Sequence, residues 1–208
     1  MRKASFVFVA LALALAFSTP LKAQVAWDGP LLVGPETPTG WGIYLVDPSS
    51  SDGIGVLTTW RGGGPLGFRI GLADEGSDDL SIYGGVDISG RLVNAGSEFP
   101  LHVSWVGGAG FGVGDDFAVS FPLGLVIGRA FQAETVGLSP YIGPRLVLDA
   151  VFGRNGGGQG DGNDDDINLG FAVDFGLDLN FDPGWAVRFG VSGGDRDAIA
   201  IGVSFNVR

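Results

Sequence analysis

Cysteine is missing from all 208 residues, and histidine and methionine occur once each. No disulfide framework, thiolate metal cage or cysteine nucleophile can therefore be built from this chain. Lysine is almost missing too: Lys3 and Lys22 are the only two, and both precede residue 24. With Arg2 they belong to a leader, so the chain from Gln24 carries nine bases, all Arg, against 23 acids, a net charge of −14. A basic face for nucleic acid is excluded. Long apolar runs are scarce as well, since the one that exists, Phe6 to Phe17, has 12 residues where a membrane-spanning helix needs about 20. Yet 45% of residues are hydrophobic and the mean hydropathy is +0.31, which excludes a disordered polar tail.

What is present first is an export signal. Arg2 and Lys3 give a positive start, FVFVALALALAF follows, and Leu21-Lys22-Ala23 ends on a small residue suited to cleavage. Ser18, Thr19 and Pro20 break the run where an uncleaved anchor would continue. Residues 1–23 are expected to be a signal peptide, 24–39 a periplasmic extension, and 40–208 one folded unit.

Glycine, at 38 residues, interrupts almost every helical window, whereas alternation with period two recurs throughout. In FAVDFGLDLNF, Phe171, Val173, Phe175, Leu177, Leu179 and Phe181 share one face, opposite Ala172, Asp174, Gly176, Asp178 and Asn180. The last segment repeats this with Ile199, Ile201, Val203 and Phe205 opposite Ala200, Gly202 and Ser204. Ten strands are predicted, near 40–47, 54–61, 66–73, 80–92, 100–113, 117–129, 138–152, 168–181, 185–193 and 198–207. The first two alternate least regularly, so eight is the alternative count.

A soluble sandwich also alternates, but its water-facing positions carry Lys, Glu, Thr or Gln. Here the polar faces hold mostly Gly, Ala and Ser with a few Arg and Asp, which suits the crowded interior of a narrow closed barrel. In lipid a sheet must close, because an open edge leaves backbone groups unpaired. The expected fold is all-β: a closed antiparallel up-and-down transmembrane β-barrel of 8–10 strands, ten preferred. A secreted soluble β-protein is the fold-level alternative. Trp41, Trp60, Trp105, Phe117, Phe152, Phe181 and Trp185 lie close to strand ends, where interfacial girdles stand.

Alternate connections of such a barrel share a side. One set, 48–53 with bordering Asp47, 74–79, 114–116, 153–167 and 194–197, holds fourteen acids; the other, 62–65, 93–99, 130–137 and 182–184, holds three. The longest loop is in the first set and the tight turn Asp182-Pro183-Gly184 in the second, so the acidic side is expected outside and both chain ends in the periplasm.

In this pattern, over residues 40–208, the chain resembles small bacterial outer-membrane β-barrel proteins of the OmpX/OmpA-transmembrane type. The resemblance implies residence in the outer membrane, contact with its lipid and lipopolysaccharide, and insertion by the barrel-assembly machinery. Members of that group typically end in an aromatic residue read by that machinery. This chain ends Phe205-Asn206-Val207-Arg208, so Phe205 is the matching assembly signal, displaced from the terminus.

Inward parity collects Arg69, Arg91, Arg145 and Arg188 with Asp87, Asp149, Asp174 and Asp178, an expected salt-bridge network that fills the lumen. The expected role is structural or surface-interactive, without enzymatic activity or cofactor, in a monomer. A narrow channel for small polar solutes is the alternative. Asp161, Asn163 and Asp165 offer oxygen ligands at calcium-loop spacing, but Ala172 stands where the bidentate Glu is needed, so only divalent cations held loosely among acidic outer loops are expected. His102 and Ser104 share one face of a strand and resemble the His-x-Ser pair of lipid A deacylases. Trp105 follows where that family has Asn, and no third residue is assigned, so a lipid A-modifying hydrolase ranks third.

Overall fold

A computed structural model of the chain describes residues 27–35, 39–47, 53–74, 80–114, 116–133, 135–152, 165–182 and 184–205; for Asp165, Asp166 and Asp182 it describes the backbone alone. Its strands are β1 (Gly40–Asp47), β2 (Gly55–Arg61), β3 (Leu66–Asp74), β4 (Leu80–Val93), β5 (His102–Val113), β6 (Phe117–Gly128), β7 (Phe131–Ala133), β8 (Val136–Phe152), β9 (Asp165–Asp182), β10 (Trp185–Gly194) and β11 (Ala198–Phe205). The leader lies outside the described residues, and no helix occurs among those described.

Neighbouring strands pair antiparallel from β1 to β6 and from β8 to β11. Two further pairings complete the ring: β6 joins β8, with Phe117 opposite Phe152, and β1 joins β11, with Trp41 opposite Phe205. The result is a closed, all-antiparallel barrel of ten strands. Closure leaves the wall without an edge strand, so each wall strand pairs with a neighbour on both sides.

One element departs from the sequence reading. The span 130–137 is expected as a plain connection, but Phe131 to Ala133 form β7 against Leu138 to Val136. The reason is length. β8 runs for 17 residues and outlasts β6 at that end, so β7 satisfies the projecting hydrogen bonds.

The period-two pattern decides what faces in. Along β3 the burial alternates without a break, with Leu66, Phe68, Ile70 and Leu72 exposed and Gly67, Arg69, Gly71 and Ala73 buried. Apolar side chains thus point outward around the wall: Ile43, Ile70, Leu123, Phe175 and Ile199 are each at least half exposed. The interior holds small residues, charges, three tyrosines and the aliphatic side chains of Val46, Leu57, Val106, Val126 and Val147. Each tyrosine lies directly across from a glycine on the next strand: Tyr44 opposite Gly202, Tyr83 opposite Gly71 and Tyr141 opposite Gly176. A Cβ on any of these glycines would fall within the facing ring, so the empty side-chain positions are slots for the tyrosines.

Aromatics gather at the barrel ends. Phe68, Trp60, Trp41, Phe205 and Trp185 are successive cross-strand partners over five strands, a continuous row at the end away from the acidic connections. Trp60 meets Phe68 in a tilted contact at 5.6 Å, and Phe181 stacks on Trp185 at 4.8 Å. Phe117 and Phe152 stack at 6.0 Å at the opposite, acidic end.

Candidate functional site: a plugged and charge-balanced lumen

The segment before β1, read from sequence as an extension outside the barrel unit, runs inside the lumen over its described residues 27–35. Trp27, Asp28, Leu31, Leu32 and Val33 are all buried, and Trp27 is the largest fully buried side chain among the described residues. Proline at 30 and 35 and glycine at 29 and 34 keep this stretch from pairing as a strand, so its carbonyls need other donors. The barrel wall supplies arginines.

Arg145 on β8 donates Nη1 to the Trp27 carbonyl at 2.6 Å and Nη2 to that of Gly29 at 3.0 Å. Arg69 on β3 donates to Leu31 O at 2.7 Å, and its guanidinium lies 3.6 Å from the centre of the Trp27 ring, a cation–π contact. Arg188 on β10 donates to Leu32 O at 2.7 Å, and Arg91 on β4 to Pro35 O at 2.5 Å. In return the Leu31 N–H donates to Asp174 on β9 at 3.3 Å. Leu32 has φ of 53°, in the left-handed region that side chains other than glycine disfavour by roughly 1–2 kcal/mol. This twist sends the consecutive carbonyls of Leu31 and Leu32 to arginines on different walls, so the contacts offset the backbone strain.

The charges close among themselves. Arg145 binds Asp174 at 2.8 Å, Arg188 binds Asp178 through two nitrogens at 2.6 and 2.7 Å, and Arg61 pairs with Asp87. Arg196 bridges Asp28 of the plug and Asp149 of β8. It reaches them because β10 ends at Gly194 with φ of 117°, Asp195 then pairs with Phe171 through both its backbone and its side chain, and the next residue turns inward. Burial pulls the Arg196 guanidinium down to about 10, still far above neutrality, so it remains protonated between its two carboxylates.

Of the eight lumen residues singled out by parity, Arg69, Asp87, Arg145, Asp149, Asp174, Asp178 and Arg188 are buried in the interior, while Arg91 lies exposed at the rim. Arg61, Arg196 and Asp28 escape the parity argument. Arg61 ends a short strand, Arg196 lies in a loop, and Asp28 lies in a segment with no period. Counting them, five interior arginines meet five aspartates among the described residues. An interior without net charge is the condition under which so many buried ions cost least. The void left beside Leu31 to Val33 measures about 20 Å³, room for a single water and not for a solute path.

No protein-family model matches the chain, and no curated protein matches it.

The remaining candidate residues fall elsewhere. His102 Nδ1 accepts the backbone N–H of Ala95 at 3.1 Å, which ties it to the connection after β4, and Ser104 lines a separate cavity at the same end. Asp161 and Asn163 lie outside the described residues, Asp165 is described only as the first backbone position of β9, and no group of three or more metal-ligating side chains occurs among the described residues. Phe205 is the last residue of β11 and stands between Trp41 and Trp185 in the aromatic row. On the outer face, Trp41, Trp60, Phe68, Phe111 and Phe121 border an apolar groove of about 660 Å³ floored by Gly84 and Ala109.

Proposed function

We propose that the protein is an exported outer-membrane β-barrel of the OmpX/OmpA-transmembrane-like kind, a monomer with a structural or surface-interaction role. The observation that carries this reading is the inverted solvation of the wall: aliphatic and aromatic side chains cover its outside while the charges are inside. Left in water, an apolar surface on that scale would aggregate; hydrocarbon between two aromatic girdles is the solvent that suits it. The plugged, charge-balanced lumen supports a structural role over conduction.

This reading involves no cofactor and no catalytic step. It places the fourteen-acid side in the medium among the divalent cations that bridge lipopolysaccharide, and the aromatic row at the periplasmic boundary. Membrane fractionation tests the location. The protein is expected in the outer-membrane pellet, extractable only with detergent and faster on an unboiled gel than on a boiled one. Quantitative recovery in a detergent-free periplasmic extract would overturn the proposal. In planar bilayers the full chain is expected to stay silent; large, steady single-channel currents would overturn the structural role in favour of a channel.

A further inference from the structure

At the end away from the acidic connections, the described residues leave a cavity of about 460 Å³ at the barrel mouth. Its floor is Val33, Gly34 and Pro35 of the plug, and its walls include Arg61, Ser89, Arg91, Ser104 and the glycine turn 62–64. Unlike the void around Leu31 to Val33, this space is within the range that holds a small organic ligand. Unlike the outer groove, it is lined by charge and hydroxyls.

The two arginines differ in how far their donors are spent. Arg61 is committed: it pairs with Asp87 and donates to Ser89 Oγ at 3.2 Å and to Pro65 O at 3.5 Å. Arg91 is exposed, gives one N–H to Pro35 O, and meets no carboxylate among the described residues. Of the two guanidiniums that line this cavity, its planar fork is therefore the one without a carboxylate among the described residues, and it is held in place from below by the plug itself. A guanidinium so placed binds a carboxylate or phosphate through two parallel hydrogen bonds, which a point charge does not match. The flanking Ser89 and Ser104 hydroxyls suit the remaining oxygens of a polar molecule.

The geometry points to this mouth as a binding site for a small polyhydroxylated solute that bears one oxyanion group, a sugar acid or sugar phosphate, anchored by Arg91. The site goes beyond the structural role proposed above and holds whichever compartment the mouth faces.

Isothermal titration of the chain from Gln24, folded in detergent micelles at low chloride, tests it with four probes: glucuronate, glucose 6-phosphate, inorganic phosphate and glucose. Glucuronate and glucose 6-phosphate are expected to bind, phosphate more weakly, and glucose without measurable heat. Arg91→Gln should weaken both anionic sugars about tenfold or more, the scale of one lost charged hydrogen-bond pair. Arg91→Lys, which keeps charge but loses the fork, should recover only part of that. Gly64→Trp provides a variant that leaves Arg91 intact: a Cβ at Gly64 meets nothing within 4 Å, so the ring has open space to occupy, and it should abolish binding with unboiled-gel mobility unchanged. Binding undiminished by Arg91→Gln or by Gly64→Trp, or no binding of either glucuronate or glucose 6-phosphate to the folded chain, would overturn the assignment.

Discussion

At the scale of single residues the interior works by pairs. Tyr83 needs the missing side chain of Gly71, Tyr141 that of Gly176, and each ring fills what its partner leaves empty. Gly176→Val should therefore lower stability by about 1–3 kcal/mol, the usual cost of overpacking, measured as a fall in the urea midpoint of the folded band in micelles. Gly63→Ala, which enters open space, should leave that midpoint unchanged. Arg145 is held more firmly still, since it carries two plug carbonyls and one carboxylate at once. Arg145→Ala strands Asp174 in the interior and should cost about 3–5 kcal/mol on the same assay, more than any rim substitution such as Arg91→Gln. Most interior charges were legible from parity because strand position alone fixes the direction of Cβ. Arg196 was not, because only the left-handed Gly194 and the Asp195 contact with Phe171 turn it inward.

At the scale of elements, the ten wall strands were readable to within three residues at each end, and for one reason: a mostly small and charged inside against an outside of Leu, Ile and Phe gives period two its contrast. β9 states it best, with Phe175 exposed and its neighbour Asp174 buried. Phe175→Asp should block assembly, since a charge facing hydrocarbon costs about 2–4 kcal/mol for Arg or Lys and less for an acid. Asp174→Ala should insert and then show only reduced stability; equal loss of the folded band in both would contradict the assignment of faces. β7 and the plug were not readable. β7 exists because β8 outlasts its neighbour, and 27–35 shows no period because five of its carbonyls are held by four arginines on different strands instead of by a strand ladder. Deleting residues 27–35 should therefore do what no single charge change does: ionic current is expected in planar bilayers, where the full chain gives none.

At the scale of the whole molecule, strand order fixes which connections share an end, and that permits a test with two labels. The chain has no cysteine, so Gly158→Cys in the acidic loop, a position outside the described residues, and Gly184→Cys in the tight turn each add one thiol. In intact cells a membrane-impermeant maleimide should modify position 158 readily, and position 184 only once the outer membrane is permeabilised. Labelling of 184 alone would invert the topology, and equal labelling would argue that no barrel separates the two.

The seam between β1 and β11 carries a consequence for the order of events during folding. It joins the first strand to the last, with Ile43 opposite Val203, so it is the contact of longest sequence separation in the wall and belongs at the end of assembly. The plug immediately precedes β1 and lies inside the ring that this seam closes. Residues 27–35 are expected to seat against Arg145 and Arg69 while the wall is still an open sheet, before the final zipping of β1 onto β11. The lumen arginines thus meet their carbonyl partners before the interior is sealed, and the open intermediate is spared a row of bare cations. A peptide of the same sequence, supplied after closure to a barrel that lacks the segment, has only the two barrel mouths to enter by, and is expected to block the current less completely than the tethered segment.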